Sequence, residues 1–218
     1  MADNNVISLY SNPNIEYYRT VPELDNRIVP HCALLLREYV RGDVLDVGAG
    51  HGAFTAALTN TNMVRRVVAC DINNNNLCHL RKKHYITKRV NLDEYPYNVG
   101  GPYDTIISAD VIEHLLSPYL HLVELHRLLK PGGRLILVTP QVPRCNVTVP
   151  HIGYFSPESL EMMFRRVGFV SSTRIYNGVY SPQLTKITSK IPLLRNVLSV
   201  GCYYVVQKSY DGEDNEPN

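Results

Sequence analysis

The sequence predicts an α/β protein: a parallel sheet with helices on both faces. Three observations carry this expectation. Short β-branched runs alternate with longer segments of helical spacing, which implies crossover connections between parallel strands. A glycine-rich bend, Gly48-Ala49-Gly50-His51-Gly52, lies between the first such run and the helix after it. Two further apolar runs follow the last helix.

Taken in order, residues 1–30 hold Pro13, Pro22, Pro30 and several tyrosines without sustained periodicity, and are expected to form an irregular arm. Ala33, Leu34, Leu35, Leu36 and Val40 suit a helix over 31–40, with Pro30 at its first turn and Gly42 as its stop. A strand over 44–48, a helix over 53–59, a strand over 65–70 and a helix over 74–84 follow, then a strand over 86–90. After a turn carrying Pro96, Gly100, Gly101 and Pro102, a fourth strand covers 103–108. The helix over 118–129 shows Leu122, Leu125, Leu128 and Leu129 on one side, and Pro131, Gly132 and Gly133 should end it before a strand over 134–140. Ser156-Pro157-Glu158 is a helix start, with a serine cap, proline in the first helical position and an acid in the first turn. That helix should run to Val167 and Gly168, before strands over 169–176 and 202–209 separated by an apolar, basic insert over 177–200.

At 218 residues, with 44% hydrophobic and 19% charged residues, the chain fits one globular domain and excludes wholesale disorder, collagen-like repeats and disulfide miniproteins. No run approaches the roughly 18 apolar residues of a membrane span. The opening MADNNVISLY lacks the order of a signal peptide, so the expected address is cytoplasmic. The five cysteines form no CxxC pair, which argues for reduced thiols rather than a disulfide frame or zinc cluster. Lys plus Arg total 22 against 20 acids, but four acids crowd into the last eight residues, leaving 22 against 16 elsewhere. The expected organisation is an arm (1–30), one domain (31–210) and a solvated acidic tail (211–218).

Asp46-Val47-Gly48-Ala49-Gly50-His51-Gly52-Ala53 is the sharpest motif. Glycines there let the backbone turn sharply and approach a ligand, and the next helix offers unpaired N–H groups. Gly48, Gly50 and Ala53 also satisfy the loose dinucleotide pattern. Asp46 argues against a pyrophosphate, which it would repel, and for a ligand carrying an ammonium and a sulfonium. Asp71, ending the second strand, is placed to accept hydrogen bonds from ribose hydroxyls.

These residues resemble the class I S-adenosylmethionine-dependent methyltransferases, whose D/E-x-G-x-G-x-G motif is met by residues 46–52. The resemblance covers roughly 31–209 and implies a Rossmann-like seven-stranded sheet, parallel except for one antiparallel strand near the C-terminus. It implies S-adenosyl-L-methionine as cofactor, with Asp46, Gly48, Ala49 and Gly50 around it, Asp71 on the ribose and Ile72 on adenine. NLDEYPY (91–97) resembles the family's segment after strand three, which gives Asn91 and Leu92 the adenine positions, with Asp93 in reserve. Ala109, at the end of the fourth strand, joins the cofactor-lining set, and LKPGGRLILVTP (129–140) resembles the family's helix-to-strand-five signature.

Methyl transfer from a sulfonium is an in-line displacement that needs alignment above all. A hydroxyl acceptor wants a base or a metal, whereas an amine needs only to arrive neutral. The candidates follow strand four, where open α/β sheets bind ligands: His114 as general base, with Glu113 or Asp110 orienting it. SADVIEHL resembles the corresponding segment of quinone-biosynthesis O-methyltransferases. Alternatively, Glu113 and His114 only cap and pack the next helix. A third reading joins Asp110, Glu113, His114 and His151 as a divalent-cation cage, an arrangement similar to the E-x-x-E-H plus distant His set of small-RNA 2′-O-methyltransferases. No metal is assigned on the sequence.

Residues 162–210 contain seven basic residues, among them Arg165, Arg166, Arg174 and Lys208, and no acid. An anionic small molecule, a lipid surface or RNA would be attracted there, although a solvated face offset by the acidic tail produces the same pattern. RNA binding would call for stacking aromatics interleaved with a dense basic groove, which is not evident. The expectation is a small or medium-sized acceptor methylated on oxygen or nitrogen, with RNA 2′-O-methylation or an inactive partner subunit as alternatives.

Overall fold

The computed structural model describes residues 37–140, 151–178 and 199–210. The arm, most of the helix expected over 31–40, the insert from 179 to 198 and the acidic tail lie outside the described residues. Arg37–Tyr39 form a 3-10 turn. The strands are β1 (Gly42–Val47), β2 (Val64–Asp71), β3 (Ile86–Arg89), β4 (Tyr103–Ala109), β5 (Leu129–Pro140), β6 (Phe169–Gly178) and β7 (Ser199–Lys208). The helices are α1 (Ala53–Thr59), α2 (Asn74–Lys82), α3 (Pro118–Leu128) and α4 (Pro157–Val167).

The strands form one sheet in the order β3-β2-β1-β4-β5-β7-β6. β1 to β5 pair in parallel, while β7 runs antiparallel to both β5 and β6. Strand order reverses between β1 and β4, the switch point at which such sheets open a crevice beyond their carboxyl ends.

Period-two alternation divides the core into two layers. Leu45, Val47, Leu135, Leu137, Tyr204 and Val206 face one layer, with Leu122, Leu125 and Phe164 of α3 and α4. Val44, Ile107, Ile136, Val138, Tyr203 and Val205 face the other, where Phe54 and Ala57 of α1 pack. Asp46 falls in the alternation of Val44, so the register of β1 carries its carboxylate toward the α1 layer.

Most strand ends differ from expectation by one to three residues, and two differences have a local cause. α2 stops at Lys82 because His84 takes a φ of 64°, a left-handed value that ends a helix. α3 stops at Leu128 and β5 begins at once, with Leu129 registered on Tyr103 before a bulge sets Arg134 on Thr105. Pro131 biases Lys130 toward extended backbone, and the Lys130 ammonium reaches Asp104 at 2.8 Å, fastening the segment to β4.

Candidate active site

The bend after β1 is held from three directions. Gly48 has a φ of 67°, and a Cβ there would stand 2.4 Å from Cγ2 of Val111. Gly52 has a φ of 79°, and its Cβ would meet Leu80 of α2 at 2.6 Å. Gly50, at φ 53°, has open space where a Cβ would be, unlike the other two.

Asp71 organises this loop. Its Oδ2 accepts the Gly50 N–H at 2.9 Å, its Oδ1 accepts the Asn73 N–H at 2.7 Å, and the buried Asn76 side chain bonds it as well. Burial pushes its carboxyl up and these hydrogen bonds oppose the shift. Asp46 is 2% exposed, and Thr55 Oγ1 donates to it at 2.5 Å. Burial, which outweighs the Thr55 bond, pushes the Asp46 carboxyl up to about 7, and the nearby Asp71 charge adds to the rise.

Ile72 is half-buried at the end of β2, and its carbonyl accepts from Arg89 at 3.2 Å. The Asn91 amide is engaged locally: Nδ2 donates to Glu94 at 2.9 Å and Oδ1 accepts the Asp93 N–H at 3.2 Å. Leu92 packs against the main core, and Asp93 accepts the Leu116 N–H at 2.9 Å, bridging to the chain beyond β4. Ala109 packs on the opposite layer.

Beyond β4 the chain passes through Asp110, at φ 52°, into a second 3-10 turn, Ile112–His114. Glu113 is 2% exposed; the Thr139 hydroxyl at the end of β5 donates to its Oε2 at 3.0 Å, and its Oε1 is buried without a partner among the described residues. Burial, and behind it the Asp110 charge, push the Glu113 carboxyl up. The N–H groups of Ile152 and Gly153 both donate to the Glu113 carbonyl at 2.9 Å, mooring the loop before α4 onto this turn. The His151 and His114 rings thereby meet edge-on, centroids 4.8 Å apart. Burial lowers the His151 imidazole, and its Nδ1 is buried without a partner among the described residues.

Glu113, His114 and His151 each offer one ligand atom, all within 4.8 Å of one another. Asp110, which the third reading of the sequence joins to them, is outside this group. Thr55, Asn76, Val111 and Thr139 carry no signal in the sequence, because their partners come from other elements. The positive C-terminal stretch is also partly engaged: Arg174 pairs with Glu161 at 2.7 Å, and the Lys208 ammonium donates to the carbonyls of His126 and Leu129 at 3.0 Å.

Residues 27–171 match the methyltransferase domain family. The tRNA U34 carboxymethyltransferase of Azotobacter vinelandii is 32% identical over 162 residues, covering 66% of this chain and 49% of that protein. The chain thus spans about half the length of the curated relatives it matches. Among solved structures, a SAM dependent methyltransferase from Archaeoglobus fulgidus superposes with a TM-score of 0.64 at 17% identity, over 83% of this chain and 94% of that one. Phosphoethanolamine N-methyltransferase 2 of Haemonchus contortus, solved with S-adenosyl-L-methionine, gives 0.60 at 15% identity, over 82% of this chain and 52% of that one. The chain belongs to the methyltransferase domain family, and its sheet has the class I methyltransferase fold.

Proposed function

We propose that this enzyme methylates an oxygen or nitrogen of a small or medium-sized acceptor brought up to Glu113, His114 and His151. S-Adenosyl-L-methionine is the donor in this reading. Asp46 and the backbone of Gly48, Ala49 and Gly50 receive its methionyl end, where a buried carboxylate favours an ammonium. A carboxylate has roughly four lone-pair sites, and Asp71 has three donors on it, which leaves room for one ribose hydroxyl. Ile72, Asn91, Leu92 and Ala109 border the adenine. His114 takes or orients the proton of the acceptor, and Glu113 positions it.

The observation that carries this reading is the contact between Gly48 and Val111. It brings the glycine bend and the segment 110–114 together as two walls, which supports a donor and an acceptor held side by side, and alignment is what this displacement requires. A second reading, in which the acceptor is a tRNA nucleotide, is favoured by the relatives named tRNA U34 carboxymethyltransferase.

Incubation with methyl-labelled S-adenosylmethionine and, separately, a small-molecule extract, total RNA and protein tests both. Label in the extract alone supports the first reading, label in RNA alone replaces it with the second, and label in none of them at full cofactor binding refutes both.

A further inference from the structure

Between Asp71 and Asp93 the chain carries no acid, yet Arg81, Lys82, Lys83, Lys88 and Arg89 fall within nine residues of it. Arg81 and Lys82 close α2, Lys83 caps it, and Lys88 and Arg89 lie on β3, the outermost strand of the sheet; all five are exposed. None meets a carboxylate among the described residues, whereas Arg65, Arg66, Arg127, Lys130 and Arg174 all do. Neutral oxygens hold three of the five instead: Arg81 Nε donates to the Thr87 hydroxyl at 2.8 Å, the Lys83 ammonium to the His51 carbonyl at 3.3 Å, and Arg89 Nε to the Ile72 carbonyl at 3.2 Å. These charges are set in place without being neutralised, and the last two stand beside the glycine bend and the end of β2.

The α2 dipole favours cations in its last turn, and lysine on an edge strand deters further pairing. Neither requires the removal of every acid from both elements, nor guanidinium groups pinned on neutral oxygens. Like charges so held repel one another until a polyanion screens them. We propose that the C-terminal turn of α2 and the strand β3 bind the phosphodiester backbone of a nucleic-acid strand. This surface lies outside the group Glu113, His114 and His151, and it goes beyond the proposed function without depending on the acceptor.

The surroundings favour phosphates over bases, and a strand over a membrane. Bases stack on exposed aromatic rings, but Tyr85 is half-buried, packed on the cluster of Ala69, Leu77 and Leu80. Contact through the backbone is therefore indifferent to sequence. With Nε engaged, the terminal nitrogens of Arg89 can fork onto phosphate oxygens. A surface that lies on a membrane sets apolar side chains beside its cations, and Ile86 is the only large apolar side chain exposed between 72 and 92.

The test is fluorescence anisotropy of labelled RNA and DNA homopolymer strands with the full chain, over a salt series from about 50 to 200 mM, with vesicles of anionic lipid as a third arm. Binding should be indifferent to sequence, and the log of the binding constant should fall against log salt with a slope of about −2 to −3.5, ~0.7 for each phosphate neutralised. Lys82→Glu with Lys88→Glu should weaken binding at low salt ~10-fold or more and flatten the slope by about 1.4. Unchanged melting temperature and S-adenosylhomocysteine binding would show that variant folded. Arg165→Glu with Arg166→Glu, an equal change of charge at exposed positions of α4, should stay within ~3-fold of the wild type, because charges beyond the screening length are damped. The proposal falls if neither strand binds at low salt, if the α4 pair weakens binding as much, or if only the vesicles are bound. A preference for RNA or for DNA names the source of the phosphates and upholds the surface. None of these outcomes reads methyl transfer, so the proposed function stands or falls on its own labelling experiment.

Discussion

The two walls of the candidate site are built on opposite terms. On the β1–β2 side the buried polar groups satisfy one another: Asp71 takes two backbone N–H groups and Asn76, and Asp46 takes Thr55. On the β4–β5 side Glu113 Oε1 and His151 Nδ1 are buried with nothing bonded to them among the described residues. A wall complete in itself belongs to the fold as much as to a ligand. A wall left incomplete is finished by what binds. Changes to the first should therefore appear in stability, and changes to the second in turnover.

The largest expected effect is that of Gly48→Ala. The left-handed φ of 67° disfavours any Cβ by about 1–2 kcal/mol, and the clash with Val111 adds about 1–3 kcal/mol of overpacking. Urea unfolding should show a loss of about 2–5 kcal/mol. A loss below 1 kcal/mol would mean that the bend yields, and that the first wall is less rigid than its hydrogen bonds suggest.

His114→Ala should do the reverse. Turnover falls on the order of 100-fold, about 2.7 kcal/mol of transition-state stabilisation, while melting temperature and cofactor affinity hold. Loss of stability on the scale of Gly48→Ala would erase the distinction between the walls, and unchanged turnover would remove His114 from the chemistry.

The strands were legible because burial on two faces imposes apolar, β-branched runs whatever their neighbours. The early start of β5 was not, since Leu129-Lys-Pro-Gly-Gly has the composition of a turn and becomes strand only because Tyr103 offers a partner. Asp46 and Asp71 stand out as isolated acids at strand ends. Their partners Thr55 and Asn76 do not, because the register of β1 and the packing of α2 create those bonds. Glu113 and His114 adjoin in sequence, but His151 joins them only through two N–H groups bonded to the Glu113 carbonyl. Asp110 drops out of the group across its left-handed turn.

A satisfied polar group away from both walls sharpens the rule. His121 is fully buried; its Nδ1 lies 2.8 Å from the Tyr97 hydroxyl and its Nε2 3.1 Å from Ser108 Oγ. The Tyr97 hydroxyl donates to the Leu92 carbonyl at 2.7 Å, so Nδ1 carries the proton and Nε2 accepts from Ser108. Burial depresses the imidazole from 6.5 to about 3. Below pH ~6.5 an unfolded chain binds a proton that the folded one refuses, so stability falls with pH by up to about 1.4 kcal/mol per unit until pH ~3. Urea midpoints at pH 7 and pH 5 should show the decline, and His121→Gln should flatten it. An equal slope in that variant would assign the decline to other groups.

The smallest effect is expected at Asn91, which tests where the first wall ends. The resemblance puts this residue at the adenine edge, yet both polar atoms of its amide already serve the turn, one on Glu94 and one on the Asp93 N–H. An exposed hydrogen bond of that kind contributes about 1 kcal/mol, so Asn91→Ala should weaken S-adenosylhomocysteine binding by less than ~5-fold, read by calorimetry. A loss beyond tenfold would mean that the amide leaves Glu94 to meet the base. The β1–β2 wall would then also contain a group whose final partner is the ligand, and the contrast between the two sides would be one of degree.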